Sequence, residues 1–272
     1  MKRSVFFISD STGITAETLG HALLTQFESI EYREATIPFV TDEQSARAAV
    51  RRIERAAEED GQRPIVFSTL PDAEVCGIVS KCGALVLDLF GAFIRPLEME
   101  FNRGSIHATG RFHGLVDRAS YEVRIDAIEY ALNHDDGAGV RHYDQADVIL
   151  VGVSRSGKTP TCVYLALQYG LRAANYPITE DDLGSPSLPR SLVAHKERLF
   201  GLTISPERLR QIRGERRPNS RYASLNQCRR EVQAVSEMFE RESITFIDTS
   251  SISIEEISTR ILQATGMKRR LG

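Results

Sequence analysis

The octapeptide GVSRSGKT at 152–159 constrains this chain more than any other segment, because it meets the spacing GxxxxGK[ST] at each fixed position: Gly152, Gly157, Lys158 and Thr159. Glycines at those places let the backbone curl until several N–H groups converge on one phosphate. A helix starting near Lys158 aims the positive end of its dipole at the same point. Such a loop works only between a strand and a helix, and both are legible: DVILVG before it is apolar and β-branched, and the residues after it hold a helical pattern to Tyr169. Pro160 falls in the first helical turn, where its missing N–H had no intrahelical partner. The expectation is a phosphate cradle made of Gly152, Val153, Ser154, Arg155, Ser156, Gly157, Lys158 and Thr159. In it Lys158 neutralises the phosphates nearest the bond being broken, and Thr159 places its hydroxyl on a magnesium ion. A glycine turn that binds nothing is the competing account, and the flanking strand and helix weigh against it.

The rest of the chain alternates in the same way. SVFFISD, EATIPFV, RPIVFSTL and GALVLDLF read as apolar strands, with helices from about Thr15 to Phe27, from about Glu43 to Glu59, and through Cys76 and Val79 between them. Thr41 or Asp42 is placed to cap the second helix, Gly61 to end it and Pro64 to prevent its continuation. Residues 101–117 lose periodicity. A helix over 121–132 follows, and NHDDGAG then reads as a break between domains. The expected class is α/β: an N-terminal parallel-sheet α/β domain at 1–140, then a P-loop kinase-like α/β domain at 141–272.

Composition excludes several function classes. A net charge of −3 in 272 residues argues against generic binding to nucleic acid or to an anionic membrane. Cys76, Cys82, Cys162 and Cys228 form no CxxC pair and are too scattered for a zinc cage or a disulfide framework, so reduced thiols are expected. The first apolar run is cut at Asp10, short of a signal-peptide core, and no stretch is long enough to span a membrane. A cytoplasmic location is the expectation.

Around the P-loop the remaining candidates are less sharply drawn. The strand RLFGLTI does not end in an acid, so the usual second magnesium-binding carboxylate is not visible. Asp248 ends ITFIDT and serves equally well as a helix cap, while Asp181 and Asp182 occupy a loop suited to substrate or to solvent. Arginines at 208, 210, 213, 216, 217 and 221 describe either a lid over transferring phosphates or a solvated helix face. SDSTG at 9–13 follows a strand and allows a second phosphate site or an ordinary capped turn. The histidines 107, 113, 134 and 142 lack ligand spacing, and His113 is a candidate acid or base.

Four longer segments carry a resemblance: HGLVDRASYEVRIDAIEYALNHDDG, DVILVGVSRSGKTP, AANYPITEDDLGSPSLP and LFGLTISPERLRQIRGERRPNSRYAS. Together they are similar to the bacterial phosphoenolpyruvate synthase regulatory proteins, which group with the regulators of pyruvate, phosphate dikinase. The resemblance implies a bifunctional regulator. Its kinase uses ADP to phosphorylate a threonine of the partner enzyme, phosphoenolpyruvate synthase, and its phosphorylase removes that phosphate with orthophosphate, releasing diphosphate. It assigns ADP to residues 152–159. Magnesium is expected at Thr159, and a homodimer is compatible with the chain. A dikinase regulator, a P-loop small-molecule kinase and a nucleotide-sensing module without catalysis are the alternatives.

Overall fold

A computed structural model describes residues 2–106, 118–184 and 187–270. The chain divides into two compact units, Met1–Gly114 and Leu115–Gly272.

In the first unit β1 (Arg3–Ser9), β2 (Tyr32–Ile37), β3 (Ile65–Thr69) and β4 (Leu85–Asp88) form a parallel sheet in the order β2-β1-β3-β4. The helices between them are α1 (Ile14–Leu24), α2 (Glu43–Asp60) and α3 (Ala73–Val79), and α4 (Leu89–Phe101) follows β4. Side chains alternate across a strand, so β1 sends Phe6 and Ile8 into one cluster and Val5 and Phe7 into another. The first cluster is closed by Ala46, Ala49 and Ile53 of α2 with Val75 and Val79 of α3, the second by Ala16 and Leu24 of α1 with Leu89 of α4. The expected punctuation is present: Asp42 caps α2 in a reciprocal box with Ser45, and Gly61 ends it in the left-handed conformation at φ 62°.

The second unit repeats this strand order. Its sheet runs β6-β5-β7-β8, all parallel, with β5 (Val148–Val153), β6 (Ala173–Ile178), β7 (Leu199–Thr203) and β8 (Phe246–Asp248). Helices α5 (Arg118–Asn133), α6 (Lys158–Tyr169), α7 (Arg190–Val193), α8 (Pro206–Arg216), α9 (Leu225–Arg241) and α10 (Ile254–Thr265) complete it. Every residue of β5 is buried. Ile149, Val151 and Val153 face Leu209, Val235, Met238 and Phe239 from α8 and α9, whereas Val148 and Leu150 face Cys162 and Leu165 of α6 with Ile257 and Ile261 of α10. Two parallel sheets covered by helices are the α/β architecture expected from the sequence.

The division at 114/115 differs from the one read near residue 140. Helix α5 packs on α6, with Ala127 and Ala131 in the same cluster as Cys162, Leu165 and Ala166. NHDDGAG therefore does not link two domains. It folds onto β6, where the Asn175 N–H donates to the His134 carbonyl (3.2 Å) and the Asp136 N–H donates to Asn175 Oδ1 (3.1 Å). A polar, glycine-containing stretch looks the same in sequence whether it spans domains or turns tightly within one.

Candidate active site

In both sheets the chain winds outward from a central strand in two directions, and the crevice at the carboxyl ends of the strands where the order reverses is where such folds bind ligands. In the second unit that crevice lies between β5 and β7, where residues 152–159 begin. The loop turns through Arg155 at φ 78° and Gly157 at φ 90°, and α6 opens at Lys158 with no side chain capping its first N–H groups. Gly152 is dictated by close approach: a Cβ there would stand 2.2 Å from the Leu202 carbonyl oxygen of β7. Gly152→Ala is accordingly expected to destabilise this unit by roughly 1–3 kcal/mol or more through overpacking against backbone that cannot yield. A lowered urea midpoint followed by circular dichroism would show it.

Ser156 is 1% exposed and its hydroxyl has no hydrogen-bond partner among the described residues. A buried hydroxyl without a partner is costly, and inside a phosphate cradle an anionic oxygen is the partner it suits. Lys158 is 4% exposed, and its ammonium donates to the carbonyls of Gly152 (3.1 Å) and Val153 (2.9 Å). Burial pushes its pKa down to about 8, against the opposing pull of Asp136 and Asp135.

Thr159, the other expected functional side chain, donates its hydroxyl to Asp135 Oδ1 at 2.7 Å. The same oxygen accepts from the Asn175 amide of β6. Asp135 opens a short 3-10 turn, Asp135–Gly137, directly after α5. No local pattern singles out this carboxylate, because Asp135 and Asp136 lie in a polar, glycine-containing stretch that reads as an interdomain break; two adjacent acids just upstream of β5 are the available signal.

The arginine-rich segment is not a purely solvated face. Arg213 of α8 is wholly buried and paired with Glu231 of α9 at 2.7 Å. It also donates to the Ser154 carbonyl in the P-loop (3.2 Å) and to the Tyr222 carbonyl (3.1 Å), and lies 4.1 Å above the Tyr222 ring. The Tyr222 hydroxyl in turn meets Ser154 Oγ at 3.0 Å. Beside this assembly opens a cavity of about 380 Å³ whose lining includes Ser154, Thr179, Glu180, Arg221 and Tyr222. Arg221 reaches Glu180 at 3.4 Å, and Arg208 bonds Gln211 within its own helix.

Asp182 braces its own loop by accepting from the Thr179 N–H and hydroxyl, and Asp181 lines the cavity. Asp248 accepts from the N–H and hydroxyl of Ser250, a local turn contact; Ser253, not Asp248, caps α10. His134 stacks on Tyr130 with ring centroids 3.9 Å apart. No metal-binding group of three or more His, Cys, Asp or Glu occurs among the described residues, and His107 and His113 lie outside them. In the first unit the Ser11 N–H donates to Ser9 Oγ, and Gly13, at φ 87°, precedes α1 without a side-chain cap. All four cysteines are free, and no described helix is long and apolar enough to cross a membrane.

Residues 5–262 match the family model described as kinase/pyrophosphorylase. A protein of Marinobacter nauticus is 56% identical over 269 residues, covering 99% of both chains, and one of Alcanivorax borkumensis is 55% identical over 271 residues, covering 100% of both. A third, from Halorhodospira halophila, is 57% identical over 270 residues, covering 99% of this chain and 98% of its own. Each carries the provisional name phosphoenolpyruvate synthase regulatory protein. With the match running from β1 through most of α10 and so taking in both sheets and residues 152–159, the chain belongs to the kinase/pyrophosphorylase family.

Proposed function

We propose that this chain regulates phosphoenolpyruvate synthase by moving a phosphoryl group on and off one of its threonines. In the inactivating direction the threonine hydroxyl oxygen attacks the β-phosphorus of ADP, the bond to the bridging oxygen breaks, and AMP leaves while the hydroxyl proton is lost. In the reactivating direction an orthophosphate oxygen attacks the phosphothreonine phosphorus, and diphosphate leaves with the threonine restored. Both directions pass a phosphoryl group between anionic oxygens, which calls for fixed positive charge and N–H dipoles more than for covalent chemistry.

The observation that carries the reading is Lys158. A cation buried at the head of α6, held at the loop carbonyls of Gly152 and Val153, sits where phosphate charge would gather. The orphaned Ser156 hydroxyl and the N–H groups opening α6 supply further donors. Arg155 is exposed at the loop tip, so its guanidinium is accessible to a bound phosphate. The oxygen donors at Thr159 and Asp135 suit a hard divalent cation, and magnesium held there would offset charge on the transferring group. The protein target comes from the names of the relatives above.

The test is incubation of the full chain with phosphoenolpyruvate synthase and ADP, with mapping of modified residues by mass spectrometry. A phosphothreonine on the synthase with AMP as co-product is the expected result, followed by its removal and diphosphate release on adding orthophosphate. Phosphoryl transfer to a small acceptor with no protein partner would instead identify a small-molecule kinase.

A further inference from the structure

We propose that Asp135 is the metal-binding carboxylate of this site, acting with Thr159, and that Asn175 is the residue that positions it. The inference rests on the reading of residues 152–159 as a nucleotide cradle. In P-loop enzymes the magnesium ion is shared between the loop's Ser or Thr hydroxyl and an aspartate on a separate element. The strands flanking β5 do not deliver that aspartate: β7 ends in Thr203, and β6, which ends in Ile178, carries Asn175 opposite Leu150 of β5. Asp248, which ends β8, is exposed and occupied with Ser250. Asp135 is the carboxylate that meets the Thr159 hydroxyl, at 2.7 Å, and it arrives from the turn before β5 instead of from a strand end.

Its placement is enforced. Asn175 is fully buried, its Oδ1 accepts from the Asp136 N–H, and its Nδ2 donates to Asp135 Oδ1. An amide bonded at both ends has only one orientation that satisfies both partners, so β6 clamps the turn and aims the Asp135 carboxylate at Thr159. Such support from behind a ligand is how proteins fix metal-binding side chains. Ser156 adds an independent pointer to a ligand, since its buried hydroxyl lies in the same loop without a partner among the described residues. With Thr159 and Asp135 as protein ligands, the ion would complete its octahedral shell with water and phosphate oxygens, so nucleotide phosphates are expected to strengthen metal binding.

The experiment measures ADP affinity of the full chain by calorimetry, with magnesium and with chelator, alongside Mn²⁺ binding by electron paramagnetic resonance with and without ADP. In the parent chain magnesium tightens ADP binding, and Mn²⁺ is captured more tightly when ADP is present. Asp135→Asn, which is isosteric and still accepts from Thr159, loses roughly tenfold or more of the magnesium-dependent gain while its chelator affinity for ADP stays close to the parent's. Asn175→Ala loses Mn²⁺ affinity in the same direction, by about 10- to 100-fold. A magnesium-dependent gain retained in Asp135→Asn overturns the assignment, and so does an equal loss of affinity with and without metal, which would make Asp135 a structural support. Absence of ADP binding by the parent chain itself would overturn the nucleotide reading and the inference with it.

Discussion

Lys158→Met is expected to abolish phosphoryl transfer in both directions, by about 10³-fold or more in each, and to leave a folded chain that is no less stable than the parent at neutral pH. The activity loss follows from removing the buried cation at the head of α6, the group placed to neutralise charge that gathers on the transferring phosphoryl group. The stability effect follows from the same burial. Holding a lysine with its pKa lowered from 10.5 to about 8 costs the folded state about 3 kcal/mol below pH 8. Losing the bonds to the Gly152 and Val153 carbonyls returns about 1–2 kcal/mol of that. The sign with pH is fixed by which state holds more protons. Between pH 8 and 10.5 the unfolded chain keeps this proton and the folded chain has lost it, so the penalty shrinks as pH rises through that window. Denaturant midpoints at pH 7 and pH 10 should therefore show the advantage of the variant at the lower pH and its loss at the higher. Phosphate binding restores the lysine charge, so ADP binding at pH 9 should take up protons in the parent and not in the variant. If Lys158→Met kept phosphate-dependent removal while losing ADP-dependent phosphorylation, the two directions would use different pockets.

The strand–loop–helix at 148–169 and helix caps such as Asp42 and Gly61 were legible because each answers to a local rule, a φ requirement or an orphan N–H, that a few neighbouring residues satisfy. Helix α6 was legible from Lys158 to Tyr169 for the same reason. Asp135 was not, since its role depends on Asn175, forty positions later in β6, and on Thr159, neither of which marks the Asp-Asp pair from within its own segment. Arg213 was hidden more deeply. Among six clustered arginines nothing local separates the buried one, and its partner Glu231 belongs to another helix. Helix α9 opens at Leu225, capped by Ser224, and in its first turn Gln227 points inward to Glu180 and Glu231, contacts that no local pattern marks.

That buried pair leads to the second large expected effect. Glu231→Leu should destabilise the second unit by about 3–5 kcal/mol, because it leaves the Arg213 guanidinium fully buried without a counter-charge. Its remaining acceptors, the carbonyls of Ser154 and Tyr222, satisfy hydrogen bonds but not the charge, and its Nε already lacks a partner. Gln227 would also lose an acceptor at 2.8 Å. Replacing both charges, in Arg213→Met with Glu231→Leu, should recover most of the loss, since a buried ion pair and a packed apolar pair of similar volume are often close in free energy. Urea unfolding of the two variants gives the comparison directly. Function is expected to part company with stability in the double variant. Arg213 is what ties α8 to the 152–159 loop at the Ser154 carbonyl and over the Tyr222 ring, so a refolded apolar pair would leave the loop without that tether. Normal denaturant resistance with weakened ADP binding would assign the pair to loop positioning. A double variant as unstable as Glu231→Leu alone would place its value in packing and hydrogen bonding instead, because an uncompensated charge could not then be the cause.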